Sequence, residues 1–182
     1  MYGNVWKSSE GQHFVPEFCT AIISLCDSLD EQQGKVLGGE DRSVRNNAVF
    51  AVDDPEFKEV VLYMMRVANK DWNFDISGIE NLQLSKYGPG QKYGWHIDML
   101  PGDPMRKLTF NLVLNQDFEG GEFQFSWGSP SAPYRKRVIK ETAFETPGCF
   151  IVFPSYYYHR VTEVTSGTRY SLTGWAVGPP FR

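Results

Sequence analysis

The sequence predicts a mainly β protein with N-terminal helices, in which a double-stranded β-helix (a jelly-roll or cupin-like barrel) is flanked by two helices. Aromatic residues make up 15% of the 182 residues, and such side chains favour strands and a lined cavity. The 17 glycines and 11 prolines indicate many tight turns. From about Asn73 onward, the apolar spacing changes from the helical period of about 3.6 to the strand period of two.

One domain of ordinary size accounts for the chain, because domains usually contain roughly 100–200 residues. We expect a single domain over residues 1–182, with mainly helical support in residues 1–72 and a β-barrel core in residues 73–178. A hydrophobic fraction of 41% is sufficient for a packed core and excludes a wholly disordered chain.

Two helices are predicted before the barrel. Pro16 suits the first position of a helix, and apolar residues follow it at helical spacing. In the second helix, Asp53 or Asp54 offers the N-cap and Pro55 begins the first turn. The predicted apolar stripe of this second helix comprises Phe57, Val60, Val61, Met64 and Val67.

Short strands fill the rest of the chain. Apolar residues at 82 and 84, at 108, 110, 112 and 114, and at 123, 125 and 127 alternate with the residues between them. Turn residues punctuate these runs at Gly88-Pro89-Gly90, Gly120-Gly121, Ser129-Pro130 and Pro147-Gly148. At least seven such strands with no helix between them predict antiparallel sheets, and closure into a barrel removes exposed edges.

Charge and cysteine content restrict the function classes. The formal net charge is -4, so the chain has no general electrostatic reason to coat nucleic acid or an anionic membrane. No apolar run approaches the roughly 20 residues of a membrane helix, and the N-terminus lacks the layout of a signal peptide. The 3 cysteines are an odd number without a C-x-x-C pair, which favours free thiols. We therefore predict a cytoplasmic protein that binds neither nucleic acid nor membrane.

Two of the 3 histidines lie in patterned strands, whereas His13 stands alone before the first helix. His96 and Asp98 are two positions apart, so in a strand both side chains point to one face and could hold one metal ion. For this pair alone, a hydrogen-bonded His–Asp pair in a core or at a rim explains the pattern as well.

His159 adds a second imidazole, in the run Tyr156-Tyr157-Tyr158-His159-Arg160-Val161. Two imidazoles and one carboxylate form the facial triad that suits Fe(II) and leaves coordination positions open. Zinc could use the same three ligands, so the triad does not by itself choose the metal.

The last strand carries a cation on a face that we expect to be interior. Arg169, Ser171, Thr173 and Trp175 share one face of this strand. A buried guanidinium is costly unless a carboxylate pairs with it, and a small dicarboxylate could do so while its other end binds the metal. The alternative is that Arg169 faces solvent or pairs with an acidic side chain such as Glu163.

The order His96-x-Asp98, His159 and Arg169-x-Ser171 resembles the Fe(II)- and 2-oxoglutarate-dependent dioxygenases, and within them the prolyl 4-hydroxylase-like group. The resemblance covers about residues 34–177. Its further motifs are Tyr87-Gly88-Pro89-Gly90-Gln91-Lys92-Tyr93 before His96, Gly120-Gly121-Glu122, and Pro147-Gly148 before the strand that carries His159.

This resemblance implies an enzyme and its cofactors. His96, Asp98 and His159 would bind Fe(II), and the cosubstrate 2-oxoglutarate would chelate the iron and react with O2. Arg169 would bind the far carboxylate of 2-oxoglutarate beside Ser171. The reaction would hydroxylate an unactivated C–H bond of a prolyl residue in a peptide or protein and release succinate and CO2. Ascorbate, which the family often uses to rescue oxidised iron, is a further cofactor that the resemblance raises.

The resemblance also points to the substrate side. Tyr93 and Trp175 match aromatic positions that line the metal and substrate side. We also predict Arg45 as a substrate contact, because the segment 42–50 and the loop 101–105 would border the barrel mouth. The alternative for both segments is an ordinary surface loop.

One departure concerns the cosubstrate. Related oxygen-sensing hydroxylases place a cosubstrate-binding tyrosine on the strand that here reads Leu112-Val113-Leu114-Asn115. Leu112 cannot make that hydrogen bond, so Thr109 or Tyr87 is expected to take its place.

Two other functions fit parts of the sequence. The same chemistry on methylated nucleic-acid bases would need a basic rim, but we interpret the run Arg135, Lys136, Arg137 and Lys140 as a solvated strand face. A non-catalytic cupin-like metal-binding barrel would need no anion-binding arginine, so the orientation of Arg169 discriminates it.

Overall fold

The computed structural model of this protein describes residues 4–36, 39–99, 102, 104–127 and 137–181. Two α-helices lie in this part of the chain, α1 over Pro16–Ser24 and α2 over Pro55–Ala68. Strands β1 to β14 follow in chain order over Trp6–Lys7, Gln32–Gln33, Ala48–Val52, Gly78–Ile79, Leu82–Tyr87, Tyr93–His96, Met105–Val113, Phe118–Gly120, Phe123–Trp127, Arg137–Lys140, Phe150–Pro154, Tyr158–Val161, Val164–Gly167 and Arg169–Gly178. The predicted mainly β class with two helices is therefore confirmed.

Two antiparallel sheets form the barrel. The major sheet has the strand order β1-β11-β7-β14-β5-β3-β2, with β4 paired to β14. The minor sheet has the order β10-β9-β12-β6, and β8 pairs with β13 separately. Strands β1 to β3 lie before residue 73, so this first segment adds strands to the major sheet besides its two helices.

Strand alternation divides the core into two layers. Leu84, Leu112 and Leu172 point from the major sheet into an outer cluster that also contains Val61 and Met65 of α2. An inner cluster lies between the two sheets and contains side chains from both of them, including Val113, Ile151, Phe123 and Phe125. The inner face of the major sheet therefore looks toward the minor sheet, and the site lies between them.

The buried face of α2 differs from the predicted stripe. Val61, Leu62, Met65 and Ala68 are buried, whereas Val60 is 45% exposed. Apolar residues lie on more than half of this helix, so spacing alone allowed two overlapping stripes. Packing against the major sheet selects the one centred nearer to Met65.

We expect Asp54→Ala to destabilise the protein by about 1 kcal/mol, because an N-cap side chain satisfies a helix N–H that otherwise lacks a partner. The Asp54 carboxylate accepts a hydrogen bond of 2.8 Å from the backbone N–H of Phe57 at the start of α2. Urea unfolding measures the change. Asp53→Ala is the matched control, because Asp53 makes only an exposed ion pair with Lys58 and should change stability little. Equal losses from the two variants would contradict this assignment.

The three cysteines are free thiols, as the sequence predicts. Cys149 contacts His13, whose Nε2 lies 3.0 Å from the sulfur. In the described residues, no helix is both long and apolar enough to cross a membrane.

Candidate active site

The two strand histidines and the aspartate meet between the sheets. His159 on β12 is the direct cross-strand partner of His96 on β6, and Asp98 follows two residues after His96. One ligand atom from each of the three residues lies within 4.8 Å of the others. The Asp98 carboxylate approaches Nε2 of His159 to 3.4 Å and Nε2 of His96 to 3.6 Å. This cluster has the composition of the predicted facial triad.

Backbone contacts orient both imidazoles. Nδ1 of His96 lies 2.8 Å from the carbonyl oxygen of Gly94, and Nδ1 of His159 lies 2.9 Å from that of Tyr157. A carbonyl can only accept, so each ring carries a proton on Nδ1 and turns its Nε2 toward the cluster. Such contacts are typical of metal-binding histidines.

Thr109 orients the third member of the cluster. Its hydroxyl donates a 2.9 Å hydrogen bond to the Asp98 carboxylate and lies 3.1 Å from the Ser155 hydroxyl. In the structure this hydroxyl binds Asp98, because Thr109 lies at the level of the cluster. The role of Thr109 as a cosubstrate contact stays a prediction.

The cluster is arranged to bind a cation. Burial acts to raise the pKa of Asp98, but His159 and His96 outweigh it and hold that pKa below its ordinary value. Burial, with the nearby His96, lowers the pKa of His159 to about 4, against the opposing effect of Asp98. At neutral pH, Asp98 is therefore anionic and His159 neutral, which is the protonation state that binds a divalent metal.

These shifts predict that acid destabilises the metal-free protein. The unfolded chain protonates His159 near its ordinary pKa of 6.5, whereas the folded protein does so only near 4. The stability linked to this neutral group is complete above the first value and is lost as the pH falls toward the second, by roughly 3 kcal/mol in total. Urea unfolding across this pH range measures the loss. His159→Gln should remove most of the slope, and an unchanged slope would contradict the assignment.

Arg169 lies at the other end of the interior. Its side chain is buried with 1% exposure, and Nη1 donates a 2.8 Å hydrogen bond to the Ser171 hydroxyl. Nη2 is buried and has no hydrogen-bond partner, and no carboxylate among the described residues pairs with this guanidinium. Burial lowers the pKa of Arg169. The predicted alternatives, solvent exposure or pairing with Glu163, do not describe this side chain.

The glycine pair on the β8 side leaves room for Arg169. Gly121 has a φ of +57°, and a Cβ there would lie 3.0 Å from Cδ of Arg169. Gly120 has a φ of +72°, and a Cβ there would lie 2.3 Å from the carbonyl oxygen of Glu163. The glycines of the predicted turn thus allow backbone to pack closely beside the buried cation.

The match of Leu112 to the family's cosubstrate-binding tyrosine is wrong, because Leu112 points to the outer face of the major sheet. Leu112 is fully buried in the outer cluster against the helices, so a side chain at this position cannot reach the interior. Val113, its neighbour on β7, faces the interior and pairs across the sheet with Ser171. Strand alternation explains the error, because a shift of one residue exchanges the two faces. Tyr87 does lie in the inner cluster, with its ring centre 5.5 Å from the Arg169 guanidinium carbon.

A cavity of about 890 Å³ extends from the cluster to Tyr87 and to Ser171, the hydrogen-bond partner of Arg169, whereas Arg169 and Thr109 are not among its lining residues. It is large enough for a small ligand and part of a substrate. Residues predicted for the site line its wall, and these are Arg45, Tyr87, Tyr93, His96, Asp98, His159, Ser171 and Trp175. Val44 and Val49 of the segment 42–50 also border the cavity, as does Met105, whereas Pro101 and Asp103 of the second loop lie outside the described residues.

Stacked planar groups form the wall next to the cluster. The Tyr93 ring lies parallel to His96, with ring centres 3.5 Å apart, and the Arg45 guanidinium carbon lies 4.3 Å from the centre of the Tyr93 ring. Arg45 is held by a 2.8 Å hydrogen bond to Asn47 and a 2.9 Å hydrogen bond to the carbonyl of Lys35. Burial raises the pKa of Tyr93, so its phenol stays protonated.

Arg106 and Glu80 hold the Trp175 side chain in place. The guanidinium carbon of Arg106 lies 3.9 Å from the Trp175 ring centre, and Glu80 binds this arginine through two hydrogen bonds of 2.9 and 2.6 Å. The indole is therefore held in place at the cavity wall.

Sequence reasoning missed a set of polar residues on the inner face of the major sheet. They are Gln83, Ser85 and Asn111, and all of them line the cavity together with Thr173, whose face was predicted. The signal was present, because each is polar and alternates with buried leucine or phenylalanine on a central strand. Polar side chains on that face indicate a lined site rather than a packed core.

Comparisons with known proteins agree with this geometry. The sequence profile of the 2OG-Fe(II) oxygenase superfamily matches residues 82–177, which contain all three cluster residues and Arg169. The chain belongs to the 2OG-Fe(II) oxygenase superfamily. This oxygenase is thus an oxidoreductase that uses Fe(II), 2-oxoglutarate and O2, as the resemblance implied.

Relatives extend the match over most of this oxygenase. It is 39% identical over 172 residues to a PKHD-type hydroxylase of Picosynechococcus sp., covering 90% of this chain and 74% of the relative. It is 32% identical over 172 residues to a PKHD-type hydroxylase of Parvibaculum lavamentivorans, covering 85% and 72%. The oxygenase is therefore similar to PKHD-type hydroxylases.

Solved structures confirm the double-stranded β-helix. A Pseudomonas putida prolyl-4-hydroxylase matches with a TM-score of 0.74 at 16% identity, covering 98% of this chain and 94% of that one. A Trichoplax adhaerens prolyl hydroxylase, solved with a peptide fragment of a hypoxia-inducible-factor oxygen degradation domain, matches with a TM-score of 0.71 at 17% identity, covering 96% and 84%. At these identities the likeness establishes the fold.

Proposed function

We propose that this oxygenase hydroxylates a prolyl residue of a peptide or protein and converts 2-oxoglutarate and O2 to succinate and CO2. The observation that carries the proposal is that the barrel interior holds both the cluster of His96, Asp98 and His159 and the buried guanidinium of Arg169. No carboxylate among the described residues pairs with this guanidinium. A metal-binding barrel without catalysis would have no reason to bear the cost of that guanidinium. An anionic cosubstrate removes the cost by pairing with it.

The residues present fit iron. His96 and His159 would offer Nε2 lone pairs, and Asp98 would offer a carboxylate oxygen already oriented by Thr109. Bound Fe(II) supplies, with O2 and 2-oxoglutarate, the oxidising power for attack on an unactivated C–H bond. The protein contributes the three ligands, the binding of the cosubstrate and a largely apolar cavity that limits access of water.

The cluster and Arg169 lie at opposite ends of one wall. Cross-strand pairs divide the β7–β14 wall into levels: Thr109 and Trp175 beside Asp98, then Asn111 and Thr173, then Val113 and Ser171 beside Arg169. The first and last levels are four residues apart, or about 13 Å at about 3.3 Å per residue. A small dicarboxylate along this wall would have one end toward the cluster and the other toward Arg169.

Support for a prolyl substrate comes from the similar proteins and from the cavity wall. The relatives are named PKHD-type hydroxylases, and two of the structural neighbours are prolyl hydroxylases, one of them solved with a peptide. Tyr93, Trp175 and Arg45 would contact the substrate, because they form the stacked and apolar wall next to the cluster. A proline ring suits such a wall, since it is compact, apolar and packs on aromatic faces.

The other candidate functions gain no specific support. Arg137 and Lys140 are exposed on β10, and Lys140 lies 3.4 Å from Glu122, which agrees with a solvated strand face. Arg135 and Lys136 lie outside the described residues. The cytoplasmic location and the use of ascorbate stay predictions.

The experiment that tests this function is succinate release by the iron-loaded enzyme with 2-oxoglutarate and a panel of proline-containing peptides. Mass spectrometry should show a gain of one oxygen on proline in at least one peptide, with one succinate formed for each hydroxylation. The matched panel carries alanine in place of proline and should remain unmodified. Turnover with methylated oligonucleotides but with none of the peptides would contradict the prolyl assignment.

A further inference from the structure

Asn111 is an unusual side chain for the wall of this cavity. It lies on the central strand β7 with 7% exposure, and its Nδ2 donates a 2.9 Å hydrogen bond to the hydroxyl of Thr173 on β14. Its Oδ1 is buried and has no hydrogen-bond partner among the described residues. A buried acceptor without a donor is destabilising, and an apolar side chain such as that of Val113 would avoid this cost.

The position of Asn111 connects it to the cosubstrate. The Asn111–Thr173 level lies between the level of Asp98 and the level of Ser171 and Arg169. Each step along the strand from one level to the next is about 6.6 Å. If one carboxylate of 2-oxoglutarate reaches Arg169, the keto-acid end lies alongside Asn111 on the way to the metal cluster.

Asn111 has a hydrogen left for a ligand. An amide nitrogen carries two hydrogens, and the Thr173 hydroxyl accepts only one of those on Nδ2. Asn111 lines the cavity, so an acceptor in the cavity can take the second hydrogen. Both ends of 2-oxoglutarate and its keto oxygen accept hydrogen bonds, so the bound cosubstrate offers such an acceptor.

We propose that Asn111, oriented by Thr173, binds the keto-acid end of 2-oxoglutarate through its side-chain N–H. This inference rests on the proposed function, because it assumes that 2-oxoglutarate occupies the cavity. The protein would then recognise 2-oxoglutarate at both ends, the far carboxylate through Arg169 and the keto-acid end through Asn111. Gln83 lies on the same face but is engaged, since its Nε2 donates a 3.1 Å hydrogen bond to Ser85.

The test is an anaerobic titration of the Fe(II)-loaded protein with 2-oxoglutarate, followed by its metal-to-ligand charge-transfer absorption. Asn111→Leu should raise the Kd for 2-oxoglutarate by about 10–150-fold, the cost of one lost hydrogen bond to a charged group. The absorption band should also move to higher energy, because the keto acid loses a hydrogen bond. Thr173→Val should show a smaller rise in Kd, since the amide remains but loses its orientation.

Asn115→Leu is the matched control. Asn115 is also an asparagine and lies four residues after Asn111, just beyond the end of β7. Both ends of its amide are engaged by the backbone: Nδ2 donates a 2.7 Å hydrogen bond to the Thr168 carbonyl, and Oδ1 accepts a 2.8 Å hydrogen bond from the Tyr170 N–H. We expect this variant to lose stability and keep the wild-type Kd. The affinity for Mn(II) alone should be unchanged in Asn111→Leu, which separates the effect from metal binding.

Two outcomes would overturn the inference. One is a Kd for Asn111→Leu within about twofold of wild type with an unmoved band; an ordered water would then be the natural partner of this amide. The other is an equal rise in Kd for Asn111→Leu and Asn115→Leu, which would indicate a general loss of structure. If the wild-type protein binds no 2-oxoglutarate at all, the proposed function fails rather than this contact.

Discussion

Asp98→Ala is expected to abolish stable Fe(II) binding and, with it, all 2-oxoglutarate turnover. Asp98 is buried with 7% exposure, lies within 3.6 Å of both cluster imidazoles and supplies the only carboxylate of the cluster. Its removal leaves the two imidazoles as the remaining ligands, and without the carboxylate they hold a divalent cation poorly. We expect the Kd for Fe(II) to rise by more than about 100-fold, above the usual cost of losing a supporting contact.

Thr109→Val provides a graded comparison for this result. It removes the hydroxyl that donates to Asp98 and keeps the shape of the side chain. Loss of such a supporting contact should weaken metal binding by about 10–100-fold while the carboxylate remains. Anaerobic calorimetry with Fe(II), or with Mn(II) as a stable substitute, measures both variants. Wild-type affinity in Asp98→Ala would refute the ligand assignment.

Replacement of Arg169 is the second change with a large expected effect. Arg169→Lys should weaken 2-oxoglutarate binding by about 1–3 kcal/mol, because an ammonium cannot reproduce the two-pronged contact of a guanidinium with a carboxylate. Arg169→Met should abolish the binding. The ligand-free Arg169→Met protein should be more stable than wild type by about 1–3 kcal/mol, since an uncompensated buried charge is removed.

Thermal unfolding with and without 2-oxoglutarate tests both parts of this prediction in the metal-loaded protein. A ligand that binds only the folded state stabilises it by RT ln(1 + L/Kd), where L is the ligand concentration, so at a fixed ligand concentration tighter binding raises the unfolding temperature further. The wild-type protein should gain stability on addition of 2-oxoglutarate, Arg169→Lys less, and Arg169→Met none. An unchanged gain in Arg169→Lys would show that another cation binds the far carboxylate.

Strand faces could be predicted from the sequence because alternation leaves little choice. Alternation places Leu84 and Leu112 on one side of the major sheet, and Ser85 and Asn111 on the other. The match of Leu112 to the family's cosubstrate-binding tyrosine did not apply this rule and is therefore wrong. The same rule brought Arg169 and Ser171 to the interior. Because the chain has only 3 histidines, each could be examined, and the cluster of His96, Asp98 and His159 could be predicted from the sequence.

What the sequence could not provide was the relation between elements. Asp98 lies beyond the end of β6 and reaches the cluster through the turn that follows, rather than on a continuous strand. The face of α2 depended on its packing partner. The two-residue strands β1 and β2 are too short to show any period, and the network that fixes Arg45 depends on a backbone carbonyl of Lys35.

Thr109 shows the same limit at the site itself. Its face was predicted, but its partner was not, because the partner depends on the level at which two strands and a turn meet. Residues that serve another side chain look the same in sequence as residues that serve a ligand. The three-dimensional register decides between these roles.

The most direct test of the whole account is a crystal structure of the protein with Mn(II) and 2-oxoglutarate. The metal should lie about 2.0–2.2 Å from Nε2 of His96, Nε2 of His159 and a carboxylate oxygen of Asp98. One end of 2-oxoglutarate should complete the coordination, and its far carboxylate should accept hydrogen bonds from Arg169. A metal bound elsewhere, or an Arg169 guanidinium paired with a protein carboxylate while 2-oxoglutarate lies outside the barrel, would contradict it.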